Sequence, residues 1–295
     1  MKKIIVLIMI LMLNIVLVAK LRVVTTYPYI SDILRNIGKE RIKITTLAKG
    51  SRDPHYITPK PSHISKLRKA DLFVINGGQL EMGWVPPLIR QANNSKISSQ
   101  GDGFLDLFNF IEPIEKPSSI SRANGNVHPD GNPHYNLNPD NIPLLADAIT
   151  EKLSMLDKAN MDFYSSNNKI FKDKFKEKII SWVAQMDKLK GLKVVQYHKS
   201  FNYFFYKFNL NEIATVEPLP GIPPSPKHIN KVIKIVKEEN ARFVIQDVFH
   251  SQKASKYIAK KSEAKLVVLP HDVYAVKEAD NIFTLFDTII ERLQK

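Results

Sequence analysis

Eight histidines and no cysteine set the chemistry open to this 295-residue chain. Without Cys there are no disulfides, thiolate metal sites, Cys nucleophiles, iron–sulfur ligands or lipid anchors on sulfur. A metal centre here must be built from imidazole, carboxylate and amide or water oxygen, a donor set that suits Zn²⁺ and its neighbours. The histidines are His55, His63, His128, His134, His198, His228, His250 and His271. No HExxH supplies two helical ligands and a general base, and GxSxG, GxxxxGK[ST] and GxGxxG are all missing. The Gly77–Gly78 pair is too short to cradle a phosphate.

The elements around these residues narrow the choice. Seven Val/Ile/Leu-rich runs, at 22–26, 42–48, 72–77, 193–198, 212–217, 243–248 and 265–270, lack strict alternation and suit strands buried on both faces of a parallel sheet. Helical stretches such as 228–240 and 251–261 lie between them, as βαβ units require. The pattern predicts an α/β fold of two lobes, each a parallel sheet flanked by helices, joined by one long helix. The boundaries expected are a leader over 1–19, an N-terminal lobe over 20–158, the linking helix over 159–190 and a C-terminal lobe over 191–295. That helix has no Pro or Gly inside it, and its apolar residues (Ile170, Phe171, Phe175, Ile179, Ile180, Trp182 and Val183) recur near helical spacing. The leader reads as a secretory signal: Lys2 and Lys3, then an apolar run from Ile4 to Ala19 that is short for a membrane span.

Open parallel sheets bind ligands outside the carboxyl ends of their strands, and that rule sorts the histidines. His55 follows the strand at 42–48, His198 ends the one at 193–198, and His271, beside Asp272, follows 265–270. His134 lies in the loop before a helix expected near Pro139. These four, from both halves of the chain, could converge on one cleft. His63 and His228 are expected to be solvated in first helical turns, and His250 to begin a helix. His128 is expected to be an exposed loop residue open to an accessory metal contact.

At these residues the chain resembles the metal-specific solute-binding proteins of bacterial ABC transporters, the zinc and manganese class. The matching pieces are DPHYITPKPSHISKLRKADLFVINGGQLEMGW (53–84), HPDGNPHYNLNP (128–139), KVVQYHKSFNYFFYKFNL (193–210), EPLPGIPPSPKHI (217–229) and the C-terminal VVLPHDV with FTLFDTIIERL. The resemblance implies two α/β lobes with the metal in the cleft between them, and His55, His134 and His198 as ligands. The fourth ligand it implies is an Asp after the last core strand. Here that stretch reads LPHDVYAV, which leaves His271 or Asp272 for the position, with Asp247 as an outside candidate.

The function expected is therefore an exported, periplasmic protein, a monomer, that captures Zn²⁺ (or Mn²⁺) as transported ligand and delivers it to the permease of an ABC importer, with no catalytic cofactor. Without Cys it is not expected to be a lipoprotein. Three imidazoles favour Zn²⁺ over Mn²⁺ by the Irving–Williams order, although the loop from His128 to His134 is shorter and less acidic than in many zinc members. The competing readings are an exported zinc hydrolase with Glu217 or Asp247 as base, and a metal-binding adhesin or metallochaperone. A net charge of +14 raises nucleic acid as a partner. The lysines are scattered among acids along helices, with no aromatic-interleaved basic groove, so nucleic acid is not expected.

Overall fold

The computed structural model describes residues 20–117 and 128–295; the expected leader lies outside the described residues. All seven apolar runs become strands: β1 (Leu21–Thr25), β2 (Ile42–Thr46), β3 (Leu72–Ile75), β5 (Lys193–Gln196), β6 (Asn211–Thr215), β7 (Phe243–Asp247) and β8 (Lys265–Leu269). An eighth strand, β4 (Phe104–Asp106), is not legible in the sequence, because three residues behind Gly103 carry no measurable periodicity. Both sheets are wholly parallel, in the orders β2-β1-β3-β4 and β6-β5-β7-β8. In each the chain turns one way after the first strand and the other way afterwards. This leaves a switch point between β1 and β3 and another between β5 and β7.

The helices of the first lobe are α1 (Pro28–Gly38), α2 (Pro61–Arg68), α3 (Val85–Ala92) and α4 (Asn141–Leu156). Next comes the long helix α5 (Met161–Met186), 26 residues with a 3₁₀ turn at each end. At 1.5 Å per residue it runs about 39 Å. The second lobe adds α6 (Asn202–Phe208), α7 (Pro226–Glu238), α8 (Lys253–Ser262) and α9 (Ile282–Gln294). Among the described residues no helix is long and apolar enough to cross a membrane.

Helix α5 buries Tyr164, Asn167, Asn168, Phe171, Phe175, Trp182 and Met186, one stripe at three-, four- and seven-residue spacing. Ile170, Ile180 and Val183, which the sequence pattern adds to that stripe, face solvent instead. The first half of α5 packs on α1 and α4 and the second on α9. There Trp182 sits 4.9 Å from Phe286 and 5.3 Å from Phe175 between ring centroids, and its indole N–H donates to Asp287 at 2.7 Å. Helix α9 begins on a capping box, Asn281 with Thr284. The amide of Ile282 donates to Asp32 of α1 at 2.9 Å, so the last helix is tied to the first. One continuous apolar core runs through both lobes by this route, and a smaller second core lies beneath α7 and α8.

Candidate metal centre

His55 lies in the loop from β2 to α2, where Asp53 forms an Asx turn with its Oδ1 accepting from the His55 amide at 2.9 Å. The same oxygen lies 2.8 Å from His55 Nδ1, which fixes the ring. His198 follows β5 at the switch point of the second sheet. Its Nδ1 lies 2.8 Å from Glu217 Oε2, and the other Glu217 oxygen accepts from the amide of Gly221. Gln196 pairs with Thr215 in the β5–β6 register, so two steps further along each strand His198 and Glu217 fall side by side. His134 is placed by Asn132, whose Oδ1 accepts from the His134 amide at 2.9 Å. The Asn132 amide group reaches across to the carbonyl of Lys199 at 2.9 Å. One asparagine thereby joins the His134 loop to the residue after His198.

Among the described residues, His55, His134 and His198 each offer a ligand atom within 4.8 Å of the other two. Their ring centroids are 5.2 Å (His55–His134), 5.2 Å (His55–His198) and 5.4 Å (His134–His198) apart, with planes at 68°, 84° and 89°. A metal at about 2.0–2.1 Å from a ring nitrogen lies about 3.2 Å from the ring centre. Two tetrahedral imidazoles then stand about 5.2 Å apart, as these do. With Nδ1 of His55 and His198 held by carboxylates, Nε2 is left to the ion, the usual carboxylate–histidine–metal arrangement.

Burial sets the protonation of the cluster. It lowers His55 below the ordinary imidazole value against the pull of Asp53, and it holds His134 well below that value, helped by the charges of His55 and His198. His128 falls to about 3 for the same reasons, opposed by the Gly78 backbone. Burial raises Asp53, but the bond and charge of His55 outweigh it and hold the carboxyl low. For His55 and His134 burial thus favours the neutral imidazole, the form that binds metal, with the Asp53 carboxylate behind His55.

Neither His271 nor Asp272 falls in the three-histidine group. Asp272 Oδ1 accepts from the amides of Tyr29 at 2.9 Å and Val273 at 2.7 Å, so the carboxylate serves the N-terminus of α1. Burial pushes its pKa well up despite those two bonds. The His271 ring packs edge-on against Phe249 at 4.7 Å with Nε2 donating to the Arg52 carbonyl, and burial lowers it to about 4. Asp247 accepts from the amides of Phe249 and His250 and from His250 Nδ1 at 2.7 Å.

Other expectations need correction. His63 is buried, since its side of α2 turns to the core, and His228 reaches the Thr215 carbonyl at 3.0 Å. His250 begins no helix: it precedes α8, stacks on Tyr197 at 4.4 Å and forms a third histidine–carboxylate pair with Asp247. The Asp-x-His and Asp-x-x-His spacings of the two short-range pairs were present in the sequence and passed over. His128 is partly buried beside the cluster, its ring 5.4 Å from His55.

Comparison with known proteins places the fold and the family. The chain is similar to the zinc-binding protein AdcA of Streptococcus pyogenes serotype M3, 24% identical over 287 residues, which cover 93% of this chain and 56% of that protein. It thus spans about half the length of AdcA. It is also similar to the manganese ABC transporter substrate-binding lipoprotein PsaA of Streptococcus pneumoniae, 25% identical over 248 residues, 82% of this chain and 77% of the relative. A crystal structure of ZnuA superposes with a TM-score of 0.77 at 23% identity, over 92% of this chain and 98% of the other, and shares the two-lobed fold. Residues 23–295 match the family described as zinc-uptake complex component A, periplasmic, and the chain belongs to that family.

Proposed function

We propose that this protein captures a divalent transition metal, zinc ahead of manganese, on His55, His134 and His198, and passes it to the permease of an ABC importer outside the cytoplasm. The reading is carried by one observation: three buried imidazoles from both lobes stand at tetrahedral spacing, two of them backed by carboxylates. Membership of a zinc-uptake family and the names of AdcA and PsaA support it. PsaA is named a lipoprotein, and this sequence has no cysteine to carry such a lipid. His271 and Asp272 remain the candidates that the family resemblance offers for the fourth ligand; the two backbone amides on Asp272 both bond to its Oδ1.

Hydrolysis is the weaker reading. Glu217 is bonded to His198 and Gly221, and Asp247 to His250 and Phe249, so the two carboxylates suited to act as base are already engaged. The test is titration of metal-free protein with Zn²⁺ and with Mn²⁺, followed by an ester and phosphoester hydrolysis assay of the zinc form. One tightly bound zinc per chain, lost by orders of magnitude in affinity on His134→Ala, and no turnover are the expected results. Tight binding unaffected by His134→Ala would refute the ligand set, and turnover would refute the transport role.

A further inference from the structure

We propose that His128 is the fourth protein ligand, closing an all-imidazole site that selects zinc over manganese. The proposal rests on the reading that His55, His134 and His198 hold the ion. The Nε2 atoms of His128 and His134 are both buried with no hydrogen-bond partner among the described residues. A buried polar nitrogen left unpaired costs about 1–3 kcal/mol, so two of them beside the same cluster need a common explanation. A metal ion supplies it. His55 and His198 commit Nδ1 to carboxylates and keep Nε2 for the site; the His128 ligand atom stands beside His55, outside the 4.8 Å group of the other three, and is the unpartnered imidazole nitrogen next to it.

Position supports the assignment. The His128 ring lies 5.4 Å from the His55 ring, the same separation as between His134 and His198. It lines two openings: the cleft of about 330 Å³ shared with His134, His198 and Glu217, and a cavity beside His55 and Trp84. His128 therefore stands between the ion's position and solvent. Its loop is restrained: Gly131 donates to the His128 carbonyl at 3.2 Å, Gln79 donates to Asp130 at 3.0 Å, and Asn132 anchors to Lys199. Among the described residues Asp53, Glu217, Asp247 and Asp272 are each engaged in hydrogen bonds through at least one oxygen. His271 also has a buried unpartnered Nδ1, but its ring packs against Phe249.

The set of donors carries the selectivity. Mn²⁺ is harder than Zn²⁺ and stands lowest in the Irving–Williams order, so four nitrogens without an anionic oxygen penalise it most. Zinc and manganese affinities would be measured by competition with a chromophoric chelator for wild type, His128→Ala, His128→Asp and His271→Ala. His128→Ala should lose at least about tenfold in zinc affinity, no less than removal of a ligand's supporting partner causes, with unchanged melting of the metal-free protein. His128→Asp should restore binding and narrow the zinc-to-manganese ratio. Zinc should also shift the ¹⁵N resonance of His128 Nε2. A loss under about threefold for His128→Ala, an unmoved resonance, or a larger loss for His271→Ala overturns the proposal. Wild-type protein that binds no zinc would instead refute the three-histidine reading beneath it.

Discussion

Replacing Glu217 by Gln tests whether the carboxylate behind His198 acts on the ion through the ring. Glu217 is buried, with one oxygen on His198 Nδ1 and the other on the Gly221 amide. Gln keeps the size but offers one acceptor oxygen, so either the ring or the turn at Gly221 loses its partner. The charge lost is also close to the ion. Across the imidazole and the 2.8 Å contact, the carboxylate lies about 7 Å from a metal on Nε2. At an effective dielectric near 20, a −1 charge and a +2 ion at that distance attract by about 5 kcal/mol, an upper bound before desolvation is subtracted. Measured losses of such supporting partners run at about 10–100-fold, or about 1.4–2.7 kcal/mol. The Coulomb figure exceeds the roughly 1.5–3 kcal/mol of a hydrogen bond to a charged group, so the charge is the larger effect. Zinc affinity of Glu217→Gln, read by chelator competition near neutral pH, should fall at least about tenfold with the fold retained by circular dichroism. A change within about threefold, in a protein where His134→Ala is severe, would refute the idea that the dyad tunes the site.

Three further outcomes are expected. Because burial lowers the pKa values of His55 and His134, protons compete for these imidazoles only at pH values below the ordinary imidazole range. Two ordinary imidazoles would cost roughly 70-fold in affinity between pH 7 and 5.5, and zinc affinity should fall by less than that in a pH series. Asp272→Ala should strip the Tyr29 and Val273 amides of their acceptor and destabilise the fold by about 2–4 kcal/mol in chemical denaturation, while moving zinc affinity far less than His134→Ala; the reverse pattern would place Asp272 at the ion. Trp182→Ala should cost about 3–5 kcal/mol of stability, read as a lowered denaturation midpoint, because it empties the aromatic cluster between α5 and α9 and frees Asp287.

Periodicity carried the fold because the strands are buried on both faces and so read as unbroken apolar runs. The carboxyl-end rule then placed His55 and His198 before any contact was known. Strand β4 escaped because pairing with β3, rather than its own three residues, makes it a strand. Glu217 could be named but not assigned: its role depends on the β5–β6 register, which is set by tertiary pairing. The backbone contacts of Asp272 are not legible in the sequence for a related reason. A carboxylate at the end of a strand serves a ligand or a helix N-terminus equally well, and the sequence does not show that the first turn of α1 lies beside it. The partial burial of His128 is not legible because a loop histidine takes its environment from chain segments distant in sequence, whereas the pairing of His250 with Asp247 lies within an Asp-x-x-His spacing that the sequence does carry.

The bracing of α1, α5 and α9 has a consequence for cargo signalling. A core that runs unbroken through both lobes, with the last helix bonded to the first, resists any large swing of one lobe against the other. Under the proposed transport role, full and empty molecules would then present nearly the same silhouette, and a receiving permease could not sort them by outline. The loaded state would then have to be announced at the rim, by how firmly a few loop residues around the ion are held. Stiffness in the frame thus moves the message from global shape to local order.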